Sequence, residues 1–421
     1  MSAIEGVPVE TTYMYRSSRV VDLLVKLGAK RDSIDLYLAG DLYYIFYLPF
    51  PSLVDNPSNE LDKRLAILNQ VLSNSKTWKI KSYTVADTQL SMVAATLVLY
   101  YIIHELKSNQ PRKGQGVDEF DLQRAEKGNA VSRAIGRALE RVRNAAAAKA
   151  ILEKLGAGSS SSLLFEDTLD IMLDLSKHTD ITEIERILSG IRFSLISSPS
   201  SGQAPRGWVE GLEIGGDIER IHPSRLALPD DIFLVELANS RLLLYQKKTY
   251  MDYGDVYVLL DKSGSMSGDK INWARAVALA LLAKARAGRR RFRLRFFDSI
   301  VYELIEVRKR AKTRYLAEAL RKIATVKASG GTNITGALAR AVEDSDKGRG
   351  RVDIVLITDG EDKLSLHIVR SILARPSVRL HTVMIRGENK TLEEVSDTYM
   401  VAEKLDEGEG LKVVKKAFSR A

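Results

Sequence analysis

Three short stretches in the second half of the chain set hard oxygen donors beside glycine. They are Asp261-Lys262-Ser263-Gly264-Ser265-Met266-Ser267, Ser329-Gly330-Gly331-Thr332-Asn333 and Asp359-Gly360. A donor set with few carboxylates and several neutral oxygens suits Mg²⁺, which keeps waters and demands octahedral geometry; Mn²⁺ or Ca²⁺ are the substitutes such a set admits. Zinc is disfavoured, because it prefers Cys and His and these stretches contain neither. An incomplete shell of protein oxygens leaves one position for water or for an incoming carboxylate. Catalysis finds less support. His104, His178, His222, His367 and His381 are scattered without metal-ligand spacing, and no Walker A loop or Gly-x-Gly-x-x-Gly turn is present. Asp261 and Asp359 with Mg²⁺ could activate water in principle, but no separate general base or covalent nucleophile accompanies them, so metal-dependent hydrolysis is a minor alternative.

The elements that must position these stretches alternate strand and helix, the signature of an α/β domain with a mostly parallel sheet. The pattern predicts strands over 255–260, 292–297, 301–307, 352–358, 378–385 and 399–402, the second and third close enough to pair as a hairpin. It predicts helices over 272–287, 312–324, 335–342, 364–373 and 411–418. Asp261 and Asp359 then fall at the carboxyl ends of two strands, where sheets of this kind bind ligands. The glycine-rich turn before Thr332 brings a third loop to the same edge.

Upstream, residues 1–196 read as an α-helical domain, 197–249 as a linker with connecting helices, and 250–421 as the α/β domain. Helical spacing runs over 117–155, 165–176 and 180–191, the last opening with Asp180 as N-cap and Glu183 three residues on, a capping box. The apolar run from Met92 to Ile103 is too short for a bilayer, which needs roughly 20 apolar residues, so it is expected as a buried helix and no membrane segment is expected. Tyr37, Tyr43, Tyr44, Phe46, Tyr47 and Phe50 are expected to pack between helices. The Ser-, Pro- and Gly-rich stretch 197–216 marks the linker, with a short helix between Pro223 and Pro229 and another capped by Asp230.

A chain without cysteine has no disulfide framework and no thiolate metal site, which fits a reducing, cytoplasmic setting; no secretory leader is evident in its first 20 residues. The net charge of +9 is unevenly placed. Residues 251–421 hold 33 Lys and Arg against 23 Asp and Glu, while residues 1–250 are nearly balanced, so the basic excess belongs to the α/β domain. It is densest at Arg286, Arg289, Arg290, Arg291, Arg293 and Arg295, and again at Arg308, Lys309, Arg310, Lys312 and Arg314. Such runs are either a salt-bridged surface or a patch for an anionic partner, an acidic protein face or RNA.

At the oxygen-donor stretches the sequence resembles the von Willebrand factor A family, whose metal-ion-dependent adhesion site follows the pattern Asp-x-Ser-x-Ser, a distant Thr and a distant Asp. All five positions match: Asp261, Ser263, Ser265, Thr332 and Asp359. The resemblance implies a Rossmann-like domain, a Mg²⁺ site with those five ligands, and a protein partner whose acidic residue completes the shell, hence adhesion and no enzyme activity. A narrower resemblance runs through 216–224, Leu243-Leu244-Tyr245 and 273–281 to the CoxE/ViaA-like branch. That branch implies a helical N-terminal region and a partner among MoxR-type AAA+ ATPases, in protein or metalloenzyme assembly; an RNA-binding ribonucleoprotein component is the alternative. The residue after Thr332 is Asn333, where many members of the branch carry Asp, which removes one charge beside the site.

Overall fold

The computed structural model describes residues 2–418 apart from 32–33, 55–58, 109–129, 158–164, 192–207, 219–220, 249–253, 310, 312 and 347–350. The N-terminal region is mainly helical, with helices Thr11–Lys26, Leu36–Tyr47, Asn59–Ser73, Ser75–Thr84, Thr88–Ser108, Ala130–Leu152, Phe165–Leu175 and Ile181–Gly190. Of the long helix expected over 117–155, positions 117–129 lie outside the described residues. The Met92–Ile103 run is the middle of a longer helix than expected, because Thr88 to Ser91 extend it at one end and His104 to Ser108 at the other. By length and composition Thr88–Leu106 is apolar enough to cross a membrane, and 72% of that window is buried inside the protein. Its inner residues, Met92 to Val98 among them, pack with Leu42, Phe46, Ile135 and Val142 of neighbouring helices.

Aromatic packing holds for most of the predicted cluster. Tyr43 and Phe46 are fully buried, Tyr13 stacks on Tyr44 at 5.6 Å, and the Arg16 guanidinium lies 5.0 Å from the Tyr43 ring centroid. Phe50 is the exception at 87% exposed, because it follows the end of its helix between Pro49 and Pro51 and is carried away from the bundle. The capping box at Asp180 does not form. Its carboxylate is drawn 3.2 Å from Nη1 of the buried Arg275, and Glu183 pairs instead with Arg186 at 2.8 Å.

Part of the expected linker is ordered structure. Trp208–Gly215 (β1) pairs antiparallel with Leu242–Lys248 (β2), and the Asp230–Ala238 helix lies between them in sequence. A bulge between Val209 and Gly211 shifts the strand's phase, which hides the period-2 alternation that identifies a strand. The Asp230–Ala238 helix has Pro229 at its N-cap, so Asp230 does not cap it and stands in the first turn.

The α/β domain follows as Asp255–Asp261 (β3), Phe292–Phe297 (β4), Ile305–Val307 (β5), Val352–Thr358 (β6), Val378–Ile385 (β7) and Thr398–Ala402 (β8). Their order in the sheet is β5-β4-β3-β6-β7-β8; every pair is parallel except the antiparallel β4–β5 edge. β3 is buried on both faces: Val256, Val258 and Leu260 pack with the Asp269–Ala287 helix, while Tyr257 and Leu259 pack with the Ile334–Asp346 helix. Helices on both faces are what a parallel sheet requires. The hydrophobic core on the first face does not stop at the domain: Ile151, Ile181, Ile184 and Leu188 of the N-terminal helices join Trp273, Val277 and Leu281 in one contiguous cluster.

Candidate metal site

β3 and β6 are adjacent and parallel with Leu260 opposite Ile357, so their next residues, Asp261 and Thr358, emerge side by side at the carboxyl edge. Asp261 is fully buried. One of its oxygens accepts the Ser263 backbone N–H at 2.8 Å, and the other accepts the Thr358 hydroxyl at 2.6 Å. The first contact folds the chain back at once, which turns the loop into a short 3-10 turn at Gly264–Met266 and leaves the Ser263 and Ser265 hydroxyls 3.1 Å apart. Thr358 in turn accepts the Gly360 N–H at 3.0 Å and so orients the peptide that follows Asp359.

Asp359 is 4% exposed; one oxygen accepts from Lys270 Nζ at 3.0 Å, and the other is buried without a hydrogen-bond partner from the protein. Burial pushes the Asp261 carboxyl up to about 6; hydrogen bonds from Thr358 and Ser263 oppose the rise and the nearby Asp359 charge adds to it. Two buried carboxylates, one with an unsatisfied oxygen, beside two serine hydroxyls form a donor set that fits a cation. Among the described residues no group of three or more His, Cys, Asp or Glu could hold a metal, so the fit depends on hydroxyl donors.

The third loop is stitched onto the first. Gly264 N–H donates to the Gly330 carbonyl at 2.9 Å and Ser329 N–H to the Lys262 carbonyl at 2.6 Å, which holds the half-buried Thr332 on the chain segment alongside. Gly330 has φ +85°, and a Cβ there would stand 3.0 Å from an Asp298 carboxylate oxygen, so glycine is required for this approach. Asn333 is committed elsewhere: its side-chain oxygen accepts the Gly336 N–H at 2.8 Å, capping the Ile334–Asp346 helix, while Asp362 accepts the Ile334 N–H.

Several residues of the site had no assigned role in the sequence. Lys262, 7% exposed, is ion-paired with Asp298 at 2.7 Å, donates to Ser329 Oγ at 3.1 Å and lies 4.4 Å from the Tyr302 ring centroid. Burial alone would lower this lysine, but Asp298 and Tyr302 outweigh it and raise it. Asp298 also accepts from Ile300 N–H and Tyr302 OH, and Ser299 Oγ accepts the Gly331 N–H. The turn after β4 is thereby fixed against both loops. The only local signal for this was a lysine inside an otherwise small, polar motif.

Half of the densest basic run is internal, while Arg289 is exposed and Arg286 and Arg291 are partly so. Arg290, Arg293 and Arg295 are 4%, 4% and 8% exposed. They pair with Asp353, Asp255 and Asp344 respectively. Arg291 reaches Asp255 at 3.7 Å and Arg308 pairs with Glu306 at 3.2 Å, whereas Arg310 and Lys312 lie outside the described residues.

Residues 256–361 match the family model of the von Willebrand factor type A domain, and the α/β unit is a domain of this type. An uncharacterized protein of Methanocaldococcus jannaschii is 27% identical over 369 residues, covering 82% of either chain. Among solved structures, a von Willebrand factor type A protein from Catenulispora acidiphila is similar with 16% identity, over 42% of this chain and 44% of that one, at a TM-score of 0.33. Proximal thread matrix protein 1 of the mussel byssus, solved with a zinc-occupied MIDAS motif, is similar with 19% identity over 39% of this chain and 46% of that one, at a TM-score of 0.32.

Proposed function

We propose that the chain is a non-enzymatic, Mg²⁺-dependent adaptor that docks an acidic residue of a protein partner at the carboxyl edge of β3 and β6. Asp261, Ser263, Ser265, Thr332 and Asp359 hold the metal in this reading. The observation that carries it is the buried Asp261–Asp359 pair, one of whose oxygens has no partner from the protein, set against the Ser263 and Ser265 hydroxyls. Leaving two carboxylates this buried costs free energy that a cation recovers. When bound, the metal supplies a Lewis-acidic position for a carboxylate. Ser263 and Ser265 contribute neutral oxygens, Thr358 and the Ser263 N–H orient Asp261, and the Lys262–Asp298 pair keeps the three loops in register.

The partner class that the sequence resemblance favours is a MoxR-type AAA+ ATPase, with the chain acting in the cytoplasm. RNA is the second reading. The burial and pairing of Arg290, Arg293 and Arg295 weigh against a basic face built from that run. The test is a pull-down of the full chain with such an ATPase in Mg²⁺, in EDTA, and with Asp261→Ala or Thr332→Ala. Capture lost in EDTA and in both variants is the expected result; capture indifferent to all three sinks the metal-gated reading. Titrations with Mg²⁺, Mn²⁺, Ca²⁺ and Zn²⁺ by calorimetry identify the ion, with zinc expected to be disfavoured for want of Cys and His.

A further inference from the structure

We infer that Lys270 is a resident counter-ion of the site, which competes with the divalent cation for Asp359 and sets the charge of the loaded crevice; this rests on the metal reading above. Lys270 is the second residue of the Asp269–Ala287 helix. That end of a helix carries a partial positive charge, so a cation there is disfavoured and an acidic residue is the usual occupant. Its ammonium is nonetheless turned inward to Asp359, 3.0 Å away, with side-chain exposures of 22% and 2% for lysine and aspartate. No other cation is paired with Asp359 among the described residues, and Asp261 has no ion-pair partner there either, so this ammonium is the counter-charge that the two carboxylates share.

Two consequences follow from charge alone. An ammonium on one Asp359 oxygen and a divalent cation at the other draw on the same carboxylate charge, so each weakens the other's hold, and removing the ammonium strengthens the metal's. Two carboxylates, one ammonium and one divalent cation sum to a single net positive charge. Lys270 therefore makes the loaded crevice selective for an anionic ligand, whereas without it the loaded crevice is neutral.

The experiment is calorimetric titration of the full chain with Mg²⁺ alone as the probe, on wild type, Lys270→Met and Lys270→Arg, with thermal melting in EDTA and in Mg²⁺ alongside. Lys270→Met should bind Mg²⁺ roughly fivefold more tightly, about what loss of one partly exposed ion pair supports. Its melting temperature should be lower than wild type in EDTA and rise more on adding Mg²⁺, while Lys270→Arg stays close to wild type in both. A purely structural lysine would lower the melting temperature in both conditions without tightening Mg²⁺. Unchanged or weaker Mg²⁺ binding by Lys270→Met, with wild type still binding, overturns the counter-ion role and leaves the metal site standing. Absence of Mg²⁺ binding by wild type and variant alike overturns both.

Discussion

Replacing Asp261 by asparagine separates the cost of burying its charge from the use of that charge. Burial raises this carboxyl from its ordinary 3.8 to about 6. At 1.36 kcal/mol per pH unit, holding it ionised in the folded protein costs about 3 kcal/mol at pH 7.5. The sign follows from proton uptake. The folded state binds the proton more tightly than the unfolded chain, so the contribution to stability is full below about pH 4 and is lost as pH rises through about 6. About half of that loss has accrued by pH 5. Asparagine keeps the acceptor for the Ser263 N–H but turns a donor toward Thr358, a loss of about 1 kcal/mol. In EDTA, Asp261→Asn should therefore be more stable than wild type by about 2 kcal/mol at pH 7.5 and by less than about 1 kcal/mol at pH 5. Urea unfolding at the two pH values measures both gaps, and Mg²⁺ should stabilise wild type alone. A variant less stable than wild type at pH 7.5, or a gap that does not shrink at pH 5, refutes the assignment of Asp261 as a charge held at a cost.

Lys262→Met strands the buried Asp298 carboxylate and should destabilise by about 3 kcal/mol, with less lost in the Lys262→Met/Asp298→Asn double variant; a urea double-mutant cycle reads the coupling. Gly330→Ala places a Cβ against Asp298 at φ +85° and should cost about 1–2 kcal/mol while weakening Mg²⁺ binding, as melting and calorimetry will report. Arg293→Gln and Arg295→Gln remove guanidinium contacts to Asp255, Asp344 and Tyr257, so they should lower the melting temperature yet leave RNA retention on filters across a salt series unchanged. Weaker retention by folded variants would favour the RNA reading.

The parts of the fold that the sequence made legible are those whose pattern is local. β4, β6 and β7 have the expected bounds, because β4 alternates Phe292, Leu294 and Phe296 with two arginines, and β6 and β7 carry the apolar runs Ile354–Ile357 and Val383–Ile385 up to polar breaks. The Lys390–Val395 helix went unread: with six residues, only Leu392 among them buried, it shows no period, and it starts on an Asn389 side chain that accepts the Leu392 N–H. β1 was masked by its bulge and by the glycine-rich stretch it borders. At the site, Asp261 and Asp359 were legible as strand-end residues. Thr358 and Lys270 were not, because their partners lie 97 and 89 positions away and only the closed sheet brings them together. Lys262 was overlooked for the same reason: nothing near it in sequence announces the Asp298 turn.

The Asp269–Ala287 helix links the site to the rest of the chain. Its first turn carries Lys270, its middle is buried, and its outer side packs with the Ile181–Gly190 and Glu407–Phe418 helices. Trp273, fully buried, donates through Nε1 to the Asp406 carbonyl at 3.0 Å, and Arg275 reaches across to Asp180. A helix clamped on both sides moves only with its neighbours, since packed cores switch between discrete arrangements and do not deform smoothly. Ile184, fully buried in that seam, is the residue to test: Ile184→Ala should cost about 2–5 kcal/mol. Because the seam is part of one core, the loss should appear as a single unfolding transition shifted for the whole chain, followed both by tryptophan fluorescence and by the Mg²⁺-induced rise in melting temperature. Two separable transitions, with the Mg²⁺-sensitive one left in place, would show that the N-terminal helices only rest on the α/β domain. A shared shift would mean that whatever displaces those helices is felt at Lys270 and Asp359.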